Sequence, residues 1–386
     1  MARKINVGLI GFGFMGKAHS NAYRQVARFF DMKAEPRMKV ICGLGVKDVK
    51  HAAEQYGWDE YTTEWPEVIA RSDIDMIDIC VPGNLHHPIG VAAAKAGKAV
   101  LCEKPLANTL SEAREMQRAA AKAGVPNGVS HNYRRAPAVS LAKRIIDEGK
   151  LGTIYHFRGT YLQDWIVDPK FPLVWRLDRK ITGSGALGDL GAHVIDLARF
   201  LVGEIESISA TMETFIKERP TLAETTGGLS AKAGRKNAKV TVDDAIIALA
   251  RFKNGALGTI EATRFAPGRR NYNRFEINGS KGSLAFNLER MNELEVYFED
   301  QPADARGFRT VQVTEGVHPY VGAWWPAGHI IGYEHTFVHT IYDFVTSLAS
   351  GKPFSPSFAD GVACQAILDT VEKAAASKKW EKVPKV

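Results

Sequence analysis

Ile5-Asn6-Val7-Gly8-Leu9-Ile10-Gly11-Phe12-Gly13-Phe14-Met15-Gly16 is the stretch whose reading decides the fold. Ile5 to Ile10 is a short, mostly apolar run of strand length. The pattern G-x-G-x-x-G follows it at once, and Lys17 to Phe29 then reads as a helix. Strand, glycine turn and helix in that order make the context in which the pattern binds a dinucleotide. Gly11 permits the tight turn, Gly13 lets backbone approach a pyrophosphate, and Gly16 allows close helix packing. The helix N-terminus offers unpaired N–H groups to the phosphates. Gly11, Phe12, Gly13, Phe14, Met15 and Gly16 are therefore cofactor-binding candidates.

Outward from this stretch, strands and helices alternate. Strands are predicted at Lys39–Leu44, Ile77–Val81 and Ala99–Cys102. Helices are predicted at Val49–Tyr56, Leu85–Ala96 and Ser111–Ala123. Such alternation predicts a doubly wound parallel sheet, a Rossmann domain over 1–130. Ligands of such sheets lie beyond the carboxyl ends of the strands. Two polar loops fall at that edge, Pro82-Gly83-Asn84-Leu85-His86 and Glu103-Lys104-Pro105. Pro82, Asn84, His86, Glu103 and Lys104 join the cofactor candidates, with His86 open to a second reading as a locally packed helix-start histidine. The acid expected after strand two to hold a ribose is absent, because the chain there reads Gly43-Leu44-Gly45-Val46-Lys47-Asp48. NAD is the expected cofactor. NADP stays open, since Lys47 could meet a 2′-phosphate.

After His131-Asn132-Tyr133-Arg134-Arg135 the pattern changes. Asn132 is placed with the cofactor residues and Tyr133 with the substrate residues. Residues 131–386 are expected to form an α+β domain with an open, mostly antiparallel sheet. Its strands are predicted at Ile154–Leu162, Ile205–Ile216, Val240–Phe252, Ala256–Phe265, Asn273–Asn278, Ser283–Leu288 and Glu293–Phe298. Asn254-Gly255 and Gly279-Ser280-Lys281-Gly282 supply hairpin turns. Helices are expected at Val139–Glu148, His335–Ser350 and Ala359–Ser377, whereas Pro220–Lys239 and Asp300–Tyr320 read as loops, the first of them mobile. The far face of such a sheet needs a cover, and a dimer or tetramer through it is expected.

Gly185-Ala186-Leu187-Gly188-Asp189-Leu190-Gly191-Ala192-His193 leads into an apolar helix ending near Val202. Asp189 and His193 are four apart, so a helix sets them side by side. A carboxylate and an imidazole so placed can orient a hydroxyl and remove its proton near neutral pH. Just before them, Gln163, Trp165, Trp175 and Arg176 offer an aromatic face and hydrogen-bond donors suited to a neutral sugar ring. Arg176 alone is a thin phosphate site.

Composition narrows the classes further. The chain has 386 residues, 45% hydrophobic and 24% charged, as in ordinary globular proteins. A net charge of +7 is spread along it without a basic, aromatic-interleaved run, so nucleic acid is not an expected partner. No apolar run approaches membrane-spanning length, and no signal peptide is read at the N-terminus. The four cysteines show no metal-type spacing, so no metal is expected and a reducing, cytoplasmic setting is. No internal repeat is present.

Four features occur together and in order: Gly11 to Gly16, Pro82-x-Asn84-x-His86, Glu103-Lys104-Pro105 and Gly185-x-x-x-Asp189-x-x-x-His193. In them the chain resembles the Gfo/Idh/MocA family of oxidoreductases over nearly its whole length. That resemblance implies NAD(P)-dependent oxidation of a sugar or cyclitol hydroxyl, with Lys104, Asp189 and His193 as catalytic residues. Tyr161-Leu162-Gln163-Asp164-Trp165, Trp175-Arg176 and Gly328-His329-Ile330-Ile331-Gly332-Tyr333-Glu334-His335 resemble a narrower group, the levoglucosan dehydrogenase-like and pyranoside 3-dehydrogenase-like members. It implies attack at C3 of a pyranose. Lys104, Tyr133, Gln163, Trp165, Arg176, Asp189, His193 and His335 are the substrate candidates. Alternatives are an inositol or other cyclitol dehydrogenase, an NAD-dependent glycoside-cleaving enzyme working through a transient 3-keto sugar, and an NAD-sensing binding protein.

Overall fold

The opening apolar run is strand β1 (Arg3–Ile10) of a computed structural model that describes residues 3–225 and 231–386. Beside it lie β2 (Ala34–Cys42), β3 (Glu60–Thr62), β4 (Met76–Ile79), β5 (Ala99–Cys102) and β6 (Asn127–Val129), all parallel, in the order β3-β2-β1-β4-β5-β6. The order reverses at β1, which places a ligand crevice at the carboxyl ends of β1 and β4. The helices are α1 (Phe14–Phe29), α2 (Val46–Tyr56), α3 (Trp65–Ala70), α4 (His86–Lys95) and α5 (Leu110–Ala123). Thr109 and Glu112 form a reciprocal capping box at the start of α5, and Gly124 ends it in the left-handed conformation at φ +66°. The core comprises Ile77, Ile79, Val100, Cys102, Ile89, Met116 and their neighbours. Short strands β3 and β6 and helix α3 carry too little periodicity to be read in the sequence.

The chain divides into two units, Met1–Asn132 with Tyr333–Gln365, and Tyr133–Gly332 with Ala366–Val386. The sequence reading placed one break at 130/131 and had no such return of the chain.

In the second unit, α6 (Pro137–Asp147) leads to β7 (Ile154–Leu162) and a one-turn α7 (Arg179–Thr182). A π-helical turn, Leu187–Gly191, runs into α8 (Ala192–Leu201). There follow β8 (Ile205–Glu213), β9 (Glu218–Thr225), β10 (Ala231–Lys239), β11 (Ala245–Phe252), β12 (Leu257–Thr263), β13 (Tyr272–Gly279), β14 (Gly282–Asn287), β15 (Glu293–Phe298) and β16 (Arg309–Gln312). Helix α9 (Tyr333–Ser350) packs on α1 in the first unit. Helix α10 (Phe358–Ser377) passes from one unit's residues to the other's, and β17 (Glu381–Lys382) closes the chain. Nine of these strands form one sheet, β16-β15-β14-β13-β7-β12-β11-β8-β17. Every neighbouring pair is antiparallel except β7 with β12. Helices α6 and α8 cover one face. The other presents Ile247, Leu249 and Leu257 to solvent.

Within Pro220–Lys239, read as a loop, the described residues are strand. β9 and β10 pair as an antiparallel ribbon, with residues 226–230, inside that span, outside the described residues. Polar residues on both faces hide the period-two signal, and a tertiary anchor supplies the order instead. Arg219 is fully buried and donates to the carbonyls of Ile166, Asp168 and Phe171, while Leu173 N–H bonds to Pro220 O at 2.7 Å. Asp300–Tyr320, also read as loop, holds the short edge strand β16.

Candidate active site

In the first unit the glycine loop has the shape its residues require. Gly11 sits at φ +105°, and a Cβ there would lie 2.4 Å from the Cys80 carbonyl oxygen. A Cβ on Gly16 would meet Gly11 O at 2.0 Å, whereas one on Gly13 would meet nothing within 4 Å. Two glycines are thus demanded by packing, and the third leaves open space beside the backbone. The start of α1 has no side-chain cap and no acid in its first turn, so its N–H groups face that space. This is the cradle a dinucleotide pyrophosphate needs. Phe14 is exposed and stacks on Tyr333 with ring centroids 6.3 Å apart. Phe12 lies against Gly43, where a Cβ would clash with its ring at 2.1 Å. Met15 is half-buried in the first turn of α1.

At the end of β2, Leu44 is exposed and Gly45 adopts φ +80°. Asp48 folds back there, its Oδ2 2.9 Å from where a Gly45 Cβ would stand. Pro82 and Asn84 lie on the loop leading into α4, with Asn84 exposed. His86 is buried, with Nδ1 2.9 Å from Pro105 O and Nε2 2.9 Å from Val81 O. Burial pulls its pKa below the ordinary value against those two carbonyls. With a carbonyl oxygen beside each ring nitrogen, one of them accepting the single N–H, His86 sits between the two polar loops and does not turn a nitrogen toward a ligand.

Glu103 is buried too, while Lys104 is half-buried. Asn132 is buried and donates to Thr336 Oγ1 at 2.8 Å, which anchors it to α9. His335 lies on the same helix, with Nδ1 3.4 Å from Glu334 Oε1. Beneath the glycine loop is a group that sequence reasoning missed. His19 is bonded to Asp78 and Glu103 at 2.7 and 2.9 Å, and Tyr23 also donates to Asp78. A signal was present, for Asp78 is the one charged residue in the buried strand Met76–Ile79.

In the second unit, Asp189 stands on the π turn and His193 on the first turn of α8. The turn is shown by Ala192 N–H bonding to Leu187 O, five residues back. Such turns inside helices recur at functional sites. Asp189 pairs with Arg264 at 2.9 Å, and its side chain remains 33% exposed against 1% for Arg264. Arg264 also donates toward Gly185 O and Arg176 O, and its guanidinium lies over the Trp165 ring. Asp243 takes Gly185 N–H and Leu187 N–H on its two carboxylate oxygens at 2.7 and 2.8 Å. Neither Arg264 nor Asp243 was a candidate, because each side chain meets these partners 56 residues or more away along the chain.

His193 is buried at 7% exposure, with the Tyr133 ring 4.5 Å away and Tyr161 at 5.8 Å. Tyr161 gives its hydroxyl proton to Asn271 Oδ1 at 2.6 Å, so Tyr133 is the donor in the 2.8 Å bond between the two tyrosines. Gln163 donates to the same Asn271 oxygen at 3.0 Å. A single hydrogen-bonded chain therefore runs from the aromatic wall around His193 to Gln163. Arg176 stacks on the exposed Trp175 at 4.3 Å, and burial lowers its pKa although Asp189 opposes the shift. Trp165 packs edge-on against Phe171 beside a small core of Ile166, Val174 and Leu177, and its indole nitrogen is enclosed. It is first a wall of this unit. The unit gathers Tyr133, Gln163, Trp165, Arg176, Asp189 and His193. Lys104 and His335 belong to the first unit.

Residues 5–131 match the oxidoreductase family with an NAD-binding Rossmann fold, Gfo/Idh/MocA, and residues 139–285 match the GFO/IDH/MocA C-terminal domain. A levoglucosan dehydrogenase of Pseudarthrobacter phenanthrenivorans is 46% identical over 388 residues, spanning 100% of this chain and 99% of that protein. A solved levoglucosan dehydrogenase in complex with NADH and levoglucosan superposes with a TM-score of 0.93 at 46% identity, covering 99% of this chain and 100% of the other. An oxidoreductase domain protein from Kribbella flavida gives 0.94 at 49% identity, with both chains fully covered. Among the described residues no helix is long and apolar enough to cross a membrane.

Proposed function

The chain belongs to the Gfo/Idh/MocA family of oxidoreductases, and on that premise we propose that it oxidises a secondary ring hydroxyl of a neutral pyranose to a ketone. The protein is an NAD-dependent sugar dehydrogenase acting on a CH–OH group. The finer reading is C3 of an anhydrosugar such as levoglucosan, or of a glucoside. What carries it is the 46% identity to a levoglucosan dehydrogenase across the whole chain.

The open space at Gly13 and the uncapped start of α1 fit NAD, which supplies the hydride acceptor when bound. The protein's own residues then govern the hydroxyl. His193 takes the hydroxyl proton on an imidazole nitrogen, because an alkoxide gives up hydride far more readily than an alcohol. The Lys104 Nζ ammonium stabilises the negative charge that develops on the reacting oxygen. Asp189, paired with Arg264, accepts a hydrogen bond from a neighbouring hydroxyl. Tyr133 and Trp165 wall the ring, and Gln163, Arg176 and His335 supply hydroxyl-directed hydrogen bonds. Arg264 is committed to Asp189 and Arg176 lies flat on Trp175, an arrangement that favours a neutral sugar over a phosphorylated one. A second copy of the chain covers the open face of the nine-stranded sheet.

The test is a panel of free sugars, anhydrosugars, glycosides and cyclitols, each offered with NAD and with NADP. Product nuclear magnetic resonance should place a ketone at C3. A C1 lactone, or preference for a sugar phosphate or a cyclitol, would overturn the substrate reading. Glycoside cleavage without net NADH would overturn the reaction.

A further inference from the structure

We propose that His19 is a positioning residue for Lys104, bridging the buried carboxylates of Asp78 and Glu103 so that the Glu103–Lys104 peptide is held in one place. The inference rests on the role given to Lys104 above. His19 is on the second turn of α1, just past the glycine loop, and is fully buried. Its Nδ1 lies 2.7 Å from Asp78 Oδ2 and its Nε2 lies 2.9 Å from Glu103 Oε1. Tyr23, one turn further along the helix, donates to the same Asp78 oxygen at 2.8 Å. Ser130 Oγ is 3.4 Å from Nε2, and the Phe337 ring packs over the imidazole at 5.4 Å. The second oxygen of Glu103 accepts the backbone N–H of Lys104 at 3.2 Å. A continuous path of hydrogen bonds thus leads from α1 through His19 and Glu103 to the lysine's own peptide.

Only an imidazolium has an N–H for both carboxylates. Burial, the largest single influence, would lower the His19 pKa, but Asp78 and Cys80 beside it together more than offset burial and hold it well above the ordinary value. Burial would likewise raise Glu103, and the His19 hydrogen bond and charge, with Lys104, bring it below the usual range. The cluster therefore counts one cation against two anions, and the Lys104 ammonium brings the sum to zero.

Burying such a set is costly, and apolar residues of the same volume are often neutral or stabilising in its place. Stability is a poor reason for it, whereas geometry is a good one. A catalytic group misplaced by about 1 Å can lose about 10²-fold in rate. Glu103 N–H bonded to Ile79 O and the Pro105 carbonyl beside His86 hold the backbone on either side of Lys104, and the His19 bond to Glu103 fixes the one side chain that accepts the Lys104 N–H.

The test uses His19→Gln and Glu103→Gln, each alone and combined with Lys104→Met, in the full-length protein. Readouts are kcat and KM for the best sugar, NADH affinity by fluorescence, and the pH dependence of Lys104 labelling by acetic anhydride, followed by mass spectrometry. His19→Gln should lower kcat at least about tenfold while KM and NADH affinity move less than about twofold. In the Lys104→Met background it should change the residual kcat less than about twofold, because the group it positions is gone. The midpoint of Lys104 labelling should shift in both single variants. Equal loss of kcat with and without Lys104, lost NADH affinity at normal kcat, or an unshifted labelling midpoint would each overturn the proposal. Should His19→Gln not fold, the labelling of Glu103→Gln decides alone. Near-normal turnover in Lys104→Met sinks the catalytic reading instead, and the labelling still reports whether His19 sets the lysine's surroundings.

Discussion

A methionine in place of Lys104 is one atom shorter, keeps the apolar stem and removes the charge. If the ammonium acts on the transition state, kcat should fall at least ~10²-fold with NAD affinity nearly unchanged, and His193→Ala should do the same. Near-normal turnover in either variant would rule out the role assigned to it. The Asp189–Arg264 pair makes a prediction about stability that runs against intuition. Asp189 is the exposed member, with 33% of its side chain accessible, and Arg264 the buried one at 1%. Arg264→Met leaves a carboxylate that water can reach, whereas Asp189→Ala leaves an enclosed guanidinium without its direct ion-pair partner, with only the Gly185 and Arg176 carbonyls and the more distant Asp243 and Asp244 around it. Breaking a buried pair so that a charge is stranded costs about 3 kcal/mol. Thermal or urea denaturation should therefore show Asp189→Ala as the more damaging change, and the reverse order would mean that Arg264 is reached by solvent.

At the scale of the element, the π turn before α8 depends on Gly185. A Cβ there would lie 1.9 Å from the Asp243 backbone oxygen, and backbone cannot swing aside as a flexible side chain can. Gly185→Ala should push the turn off Asp243, displacing Asp189 and lowering both stability, by about 2 kcal/mol or more, and kcat. Retention of wild-type melting and turnover would show that the turn is not held there. The turn between β2 and α2 carries Lys47 and the Asp48 carboxylate folded back on Gly45. Lys47→Glu should weaken NADP use more than NAD use, read as kcat/KM with each. Equal losses would place the 2′ position elsewhere.

For the whole molecule, the exposed face of the nine-stranded sheet is the feature that a single chain does not explain. Strand β11 alternates strictly, with Ile246, Ala248 and Ala250 inward and Ile247, Leu249 and Arg251 outward. Ile247 and Leu249 remain 55% and 49% exposed, with Leu257 on β12 at 45%. Three large aliphatics exposed on one sheet face, set among Ser209, Thr211, Thr259 and Glu261, are the kind of surface a partner covers. A double variant, Ile247→Asp with Leu249→Asp, should convert an oligomer to monomers in sedimentation or light scattering while leaving the fold intact. A wild-type protein that is monomeric at micromolar concentration would defeat this proposal outright.

Period and punctuation made much of the architecture legible in one dimension. The apolar run before Gly11, the alternation of strands and helices, and the Asn254-Gly255 and Gly279–Gly282 turns each act over a few neighbouring residues, so they can be read without knowing the partners. The helical stretch that carries Asp189 and His193 was legible for the same reason. The rest depended on partners distant in the chain. Arg264 lies 75 residues from Asp189, His19 lies 84 from Glu103, and the ribbon β9–β10 is anchored where Arg219 meets carbonyls about 50 residues earlier. The same limit hid the true setting of His86 and Trp165, because composition does not tell whether a polar atom meets solvent or a buried carbonyl. Local sterics and hydrophobic period wrote the elements and the motif residues into the sequence. Which charges are enclosed, and by what they are balanced, was decided only when remote segments came together, since desolvation and pairing are properties of the packed interior.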